Sequence, residues 1–194
     1  MRDWVSPWWQ AAVLPDRWQV GGVSVPALSV WHTFALEQVG NRFLLSLPAD
    51  RDDAASLLMF ARCDYRGGRR LILRPHHRAR AMARIGRKVL RVPWPDMLAA
   101  CRDYVDTCTR ATSRWQRGDS KPCAVPYQWH IVHRLCADYG YTLDAAWNAP
   151  YALARALYDA GAEAAGDDSL LSVGAQEMED NWPQLQAAAE RAAS

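Results

Sequence analysis

Prolines and glycines divide this chain into short stretches that each open and close as a helix does. Proline lacks a backbone N–H and has a fixed φ, so it suits the first turn of a helix and breaks a later one. A glycine just past the last turn supplies the left-handed residue that ends it. Pro26 precedes a stripe of Leu28, Trp31, Ala35 and Val39 running to Gly40-Asn41, and Pro75 opens a stretch reaching about Arg91. Pro95 opens another from Asp96 to about Arg114, with Leu98, Cys101, Val105 and Cys108 on one stripe. Pro126 starts a helix that stops after Tyr139 at Gly140, and Pro150 starts one that ends at Gly166. Asp50 and Asp53, ahead of the apolar run from Ala54 to Phe60, read as an N-cap with acids in the first turn. A last helical stretch follows Ser172, with Pro183 as a kink or a new start.

Strand signals are few. Gln19-Val20 and Val23-Ser24-Val25 flank Gly21-Gly22 as a small hairpin would, and Arg69 to Leu73 reads as a short extended piece after Gly67-Gly68. No period of 20–50 residues marks a repeat array. The expected fold is mainly α, a compact multi-helix domain over residues 1–194 with one small β-hairpin near residues 19–25. A Trp-rich N-terminal arm over 1–20 and an acidic, helical C-terminal region over 138–194 complete the expected organisation.

With half of its 194 residues apolar and 23% charged, the chain belongs with globular sequences. The five cysteines, Cys63, Cys101, Cys108, Cys123 and Cys136, are odd in number and lack short spacings, which argues against a secreted disulfide framework. The stretch from Met1-Arg2-Asp3-Trp4 has no apolar run long enough for a signal peptide, so none is expected, and no stretch nears the roughly 20 apolar residues of a membrane span. The expectation is a soluble protein of the cytoplasm. Ten tryptophans are many for this length; most should be core, while Trp4, Trp8 and Trp9 are expected as anchors for a partner.

Charge is unevenly distributed. Between Arg62 and Arg91 eleven Lys or Arg face one acid, Asp64, a net charge of ten positive inside a chain of net +2. From Asp138 to the end, ten acids stand against Arg155 and Arg191. At 100° per residue, Arg80, Arg84, Arg87, Lys88 and Arg91 share one narrow face of the helix that Pro75 opens, with Met82, Ile85, Gly86 and Val89 opposite. Such a row reads as a solvated face, as a dock for an acidic protein surface (including another copy of the chain), or as a binder of nucleic-acid backbone. A membrane-surface helix fits poorly, because Met82, Ile85 and Val89 are its only sizeable apolar residues.

Other constellations carry less. His130, His133 and Cys136 have helical spacing, but Trp129, Val132, Leu135, Cys136 and Tyr139 are expected on the buried face and His130 nearly opposite, so no metal is expected there. His76-His77 is expected on the solvent side, with neighbouring arginines favouring neutral imidazole. Asp52-Asp53 and Gly166-Asp167-Asp168-Ser169 read as helix punctuation. No phosphate loop, dinucleotide fingerprint or nucleophile turn is present, so neither an enzyme nor a cofactor is expected.

From Tyr127 to Ser172 a helix ends in Tyr139-Gly140, a turn and short helix end in Ala146-Trp147-Asn148-Ala149-Pro150, and an alanine-rich helix with Ala152, Ala154, Leu157 and Tyr158 leads to Gly166-Asp167-Asp168-Ser169-Leu170. This stretch, about a quarter of the chain, resembles proteins of tailed-phage structural cassettes and is most similar to tail assembly chaperone-like proteins. That resemblance implies a helical protein of the host cytoplasm that binds the tape measure and carries no catalytic residues. The tryptophan-rich and basic N-terminal half departs from the pattern, which leaves a virion component such as a head–tail connector as the alternative.

Overall fold

A computed structural model of the chain describes residues 14–109 and 125–165. Among these, eight helices and one two-stranded hairpin enclose a single hydrophobic core. Strands β1 (Trp18–Val20) and β2 (Val23–Val25) pair antiparallel, Trp18 opposite Val25 and Val20 opposite Val23. The turn between them has Gly21 and Gly22 at φ +54° and +75°, as a two-residue turn with both central residues left-handed requires. The hairpin expected near residues 19–25 is therefore present.

Helix α1 (Val30–Gln38) is buried on nearly every side and forms the centre of the molecule. It starts four residues later than Pro26 suggests, because long-range partners claim the preceding backbone. Tyr104 Oη donates to the Pro26 carbonyl (2.6 Å), Tyr151 N–H donates to the Leu28 carbonyl (2.7 Å), and Val30 N–H donates to the Ala149 carbonyl (3.1 Å). Helix α2 (Arg51–Ala61) begins at Asp50, which shares a capping box with Asp53, as the acids imply.

Helix α3 (Tyr65–Leu73) corrects the extended reading of Arg69 to Leu73. Asp64 caps it by accepting from Gly67 N–H at 2.6 Å. The glycine pair serves close approach and not a turn: an ideal Cβ on Gly68 would lie 2.1 Å from Trp31 Nε1. Helix α4 (Pro75–Val89) follows after the single non-helical residue Arg74, with Pro75 in its first turn. Arg51 receives its far end, donating to the carbonyls of Val89 (2.9 Å) and Val92 (3.3 Å).

Helix α5 (Trp94–Thr109) buries Met97, Cys101, Tyr104, Val105 and Cys108; its expected continuation to Arg114 lies outside the described residues. Helix α6 (Tyr127–Tyr139) ends at Gly140 in the left-handed conformation, φ +68°. Helix α7 (Leu143–Asn148) is capped by Thr142, and α8 (Tyr151–Ala164) follows Pro150. No described helix is long and apolar enough to cross a membrane.

The seat of α3 on Trp31 can be tested. Gly68→Ala forces a methyl into the indole of Trp31, a rigid ring already packed by Phe34, Tyr65 and Trp147. Overpacking of this kind costs about 1–3 kcal/mol. Chemical denaturation should show that loss, whereas Gly86→Ala, where nothing lies within 4 Å of an added Cβ, should leave stability unchanged or raised.

Candidate interaction surfaces

The groups with most chemical potential are engaged in holding the backbone. His32 sits in the first turn of α1, where Ser29 N–H donates to its Nδ1 at 2.9 Å. The proton is thereby assigned to Nε2, which donates to the Cys63 carbonyl at 2.6 Å. Burial lowers the imidazole to about 4, opposed by its bond to the Cys63 carbonyl and by the charge of Asp64. His32 lines a cleft of about 330 Å³ with Arg62, Cys63, Asp64 and Asn148. The Cys63 thiol donates to the Met59 carbonyl (3.4 Å), and burial, then Asp64, push it above its ordinary value. Asn148 accepts from Tyr65 N–H (2.8 Å) and donates to the Asp144 carbonyl (2.9 Å). Histidine and thiol therefore meet through a carbonyl and not through sulfur, which is no geometry for an activated nucleophile.

The buried thiols of Cys101 and Cys108 and the buried acid Asp159 are likewise part of the packed interior. Burial pushes Cys101 up to about 12 and Cys108 to about 11. Asp159, fully buried, meets the Arg155 guanidinium at 3.0 Å, and that guanidinium lies 4.7 Å over the Tyr127 ring. Among the described residues no three His, Cys, Asp or Glu side chains gather as metal ligands. His133 faces solvent on α6 while Cys136 is half-buried.

Two surfaces remain. The first is aromatic. Trp147 of α7 is buried, its ring 6.2 Å from Trp31, 5.5 Å from Phe34 and stacked at 5.6 Å on Tyr65. Trp129 of α6 meets it edge-on at 5.0 Å, yet remains 43% exposed. This corrects the expected helix face: the buried stripe of α6 is Gln128, Ile131, Val132 and Leu135, and Trp129 and Tyr139 lie outward. The stripe is turned because Gln128 is drawn in, its Nε2 donating to Glu37 of α1 at 2.7 Å. Leu143, one turn before Trp147 on the same side of α7, is 51% exposed.

The second surface is cationic. Arg80, Arg84, Arg87, Lys88 and Arg91 are all exposed, while Ile85 and Val89 on the opposite side of α4 are buried. The remaining six cations of the block, five on and around α3 and Arg78 in the first turns of α4, are exposed as well. Only Arg66 has an acidic partner among the described residues, Asp144 at 3.0 Å; Arg69 lies 5.6 Å over the Tyr65 ring. Desolvation, then the charges of His76, Arg74 and Arg80, hold the exposed His77 imidazole below its ordinary value. Trp4, Trp8, Trp9, Cys123 and most of the acidic C-terminal region lie outside the described residues. Trp18, inside the expected arm, belongs to β1 and packs on Tyr104 with centroids 5.7 Å apart.

His32 gives stability a defined pH dependence. Its folded value lies below the ordinary 6.5, so unfolding takes up a proton at intermediate pH. Stability is complete above about 6.5 and falls as pH drops toward 4, by on the order of 3 kcal/mol if the site ionises alone. Denaturation across that window should show the slope in the natural chain. A His32→Gln chain should be less stable above about pH 6.5, with the histidine's share of the slope gone, so that the difference from the natural chain narrows toward pH 4.

No protein-family model, no curated protein and no solved structure matches this chain.

Proposed function

We propose that this protein is a non-enzymatic component of phage or prophage particle assembly that works by binding other proteins. On this reading it acts in the host cytoplasm, in the manner of a tail assembly chaperone holding the tape measure. The observation that carries it is Trp129: an indole nearly half exposed, seated edge-on against the buried Trp147. Interfaces concentrate their energy in a few aromatic anchors, and a ring already fixed by its neighbours loses little entropy on docking. Leu143 beside Trp147 extends the apolar surface for a helical partner. Both residues fall within the 127–172 stretch that resembles such chaperones. The commitment of His32 and Cys63 to backbone hydrogen bonds is consistent with binding and not chemistry.

The test is co-purification of the full chain with the tape-measure and neighbouring virion proteins of its own genome, followed by titration of any complex. A partner should be retained, and Trp129→Ala should weaken it by at least tenfold while leaving the fold intact by circular dichroism. A chain that retains none of those proteins, or a complex indifferent to Trp129→Ala, would falsify the reading.

A further inference from the structure

We infer that α3 and α4 together form a binding ridge for the phosphate backbone of nucleic acid, a site separate from the Trp129 platform. The structure extends the cationic face well beyond the α4 row. Every residue from Ile72 to Arg80 is exposed, so the corner at Arg74 projects from the body. Each helix is held from one side only: Gly68 lies against Trp31, and Ile85 and Val89 are buried. The cations of both helices thus line one protruding, basic corner.

Three observations favour phosphate over the alternatives. First, the ridge is not neutralised by the described part of the chain. Of the acids between Asp138 and Ala165, Asp138 pairs with Arg134 and Asp159 with Arg155, and only Asp144 reaches the block, through Arg66. Second, the density of charge fits. From Arg80 to Arg91 the chain advances about 16 Å at 1.5 Å per residue and presents five cations, four on α4 and Arg91 in the turn just past its end. One strand of a duplex places a phosphate every 3.4 Å or so of axis, hence about five over the same length. The acids beyond Ala165 are sparser and irregular: Asp167, Asp168, Glu177, Glu179, Asp180 and Glu190. Third, arginine predominates in the ridge, and its planar fork, which meets phosphate and carboxylate oxygens alike in pairs, favours an anionic ligand over a merely solvated face. The acidic remainder of the chain would be repelled by the same polyanion, so the molecule approaches ridge first.

The test is fluorescence anisotropy of the full chain with a labelled 20-base-pair duplex of arbitrary sequence and with a single-stranded RNA of equal length. Binding at about 50 mM salt should be micromolar or tighter to at least one of them. With five phosphate contacts, duplex affinity should fall several-hundred-fold by about 200 mM. Two variants divide the ridge. One carries Arg80→Gln, Arg84→Gln, Arg87→Gln, Lys88→Gln and Arg91→Gln; the other carries Arg69→Gln, Arg70→Gln and Arg74→Gln. All eight side chains are exposed, so both should fold, and each should weaken binding at least tenfold and flatten the salt dependence. Absence of binding at 50 mM salt overturns the assignment, and so does full retention by either variant. Competition by polyglutamate as effective as the unlabelled duplex, at equal charge, overturns it in favour of an acidic protein surface.

Discussion

Two backbone hydrogen bonds, Val30 N–H to the Ala149 carbonyl and Tyr151 N–H to the Leu28 carbonyl, join the start of α1 to the start of α8. They close a contact between segments about 120 residues apart, and the central position of α1 follows from it. Ordering the intervening chain carries a large entropic cost, which must be offset by what the joint brings together. That is chiefly the aromatic set around Trp147, drawn from α1, α3, α6 and α7. His32 reinforces the same place. One ring nitrogen helps cap α1 and the other holds the end of α2 through the Cys63 carbonyl. Protonating this histidine would cost it one of the two bonds, which is why burial and neutrality go together there.

Local grammar made much of this fold legible. Gly140 ends α6 in the left-handed conformation, Pro75 opens α4, and Asp50 with Asp53 opens α2, each by an effect confined to a few neighbouring residues. The misreadings share a cause. Gly67-Gly68 has the composition of a turn, and only the indole of Trp31, far away in sequence, explains why glycine stands inside a helix. The backbone from Pro26 to Ser29 is helix-compatible but is engaged by Tyr104, Tyr151 and Pro150.

The two surfaces differ in the same way. The row from Arg80 to Lys88 is readable because a strict helical spacing separates it from Ile85 and Val89 on one element, and Arg91 follows in the turn past its end. That α3 continues the row around a projecting corner depends on the dihedrals of Arg74; Pro75 signals a break there but not the direction of the bend. Trp129 was misplaced because the stripe of α6 is rotated by one polar contact, Gln128 to Glu37, between residues 91 positions apart. A helical wheel weighs apolar residues alone and has no means of anticipating a buried glutamine.

The ridge also bears on why the body is built as it is. Like charges held together on two short helices repel one another and destabilise the compact state. The exposed pair Arg66–Asp144, the one such pair of the ridge among the described residues, offsets little, since such pairs contribute about 0–1 kcal/mol. The restraint has to come from packing, and it is found at both ends of the ridge. Trp31 seats α3 at Gly68, and Arg51 grips the last carbonyl of α4 and the Val92 carbonyl just beyond it while its guanidinium lies 5.5 Å over the Trp94 ring. An arginine there adds another positive charge to a basic neighbourhood, yet it meets the negative end of the helix dipole, where a cation is stabilising. Rigid anchoring at both ends and free cations between them is an arrangement that holds a repulsive surface in a fixed shape. Fixed shape is what a charged face needs for register with a partner, and it is obtained here at the expense of some stability.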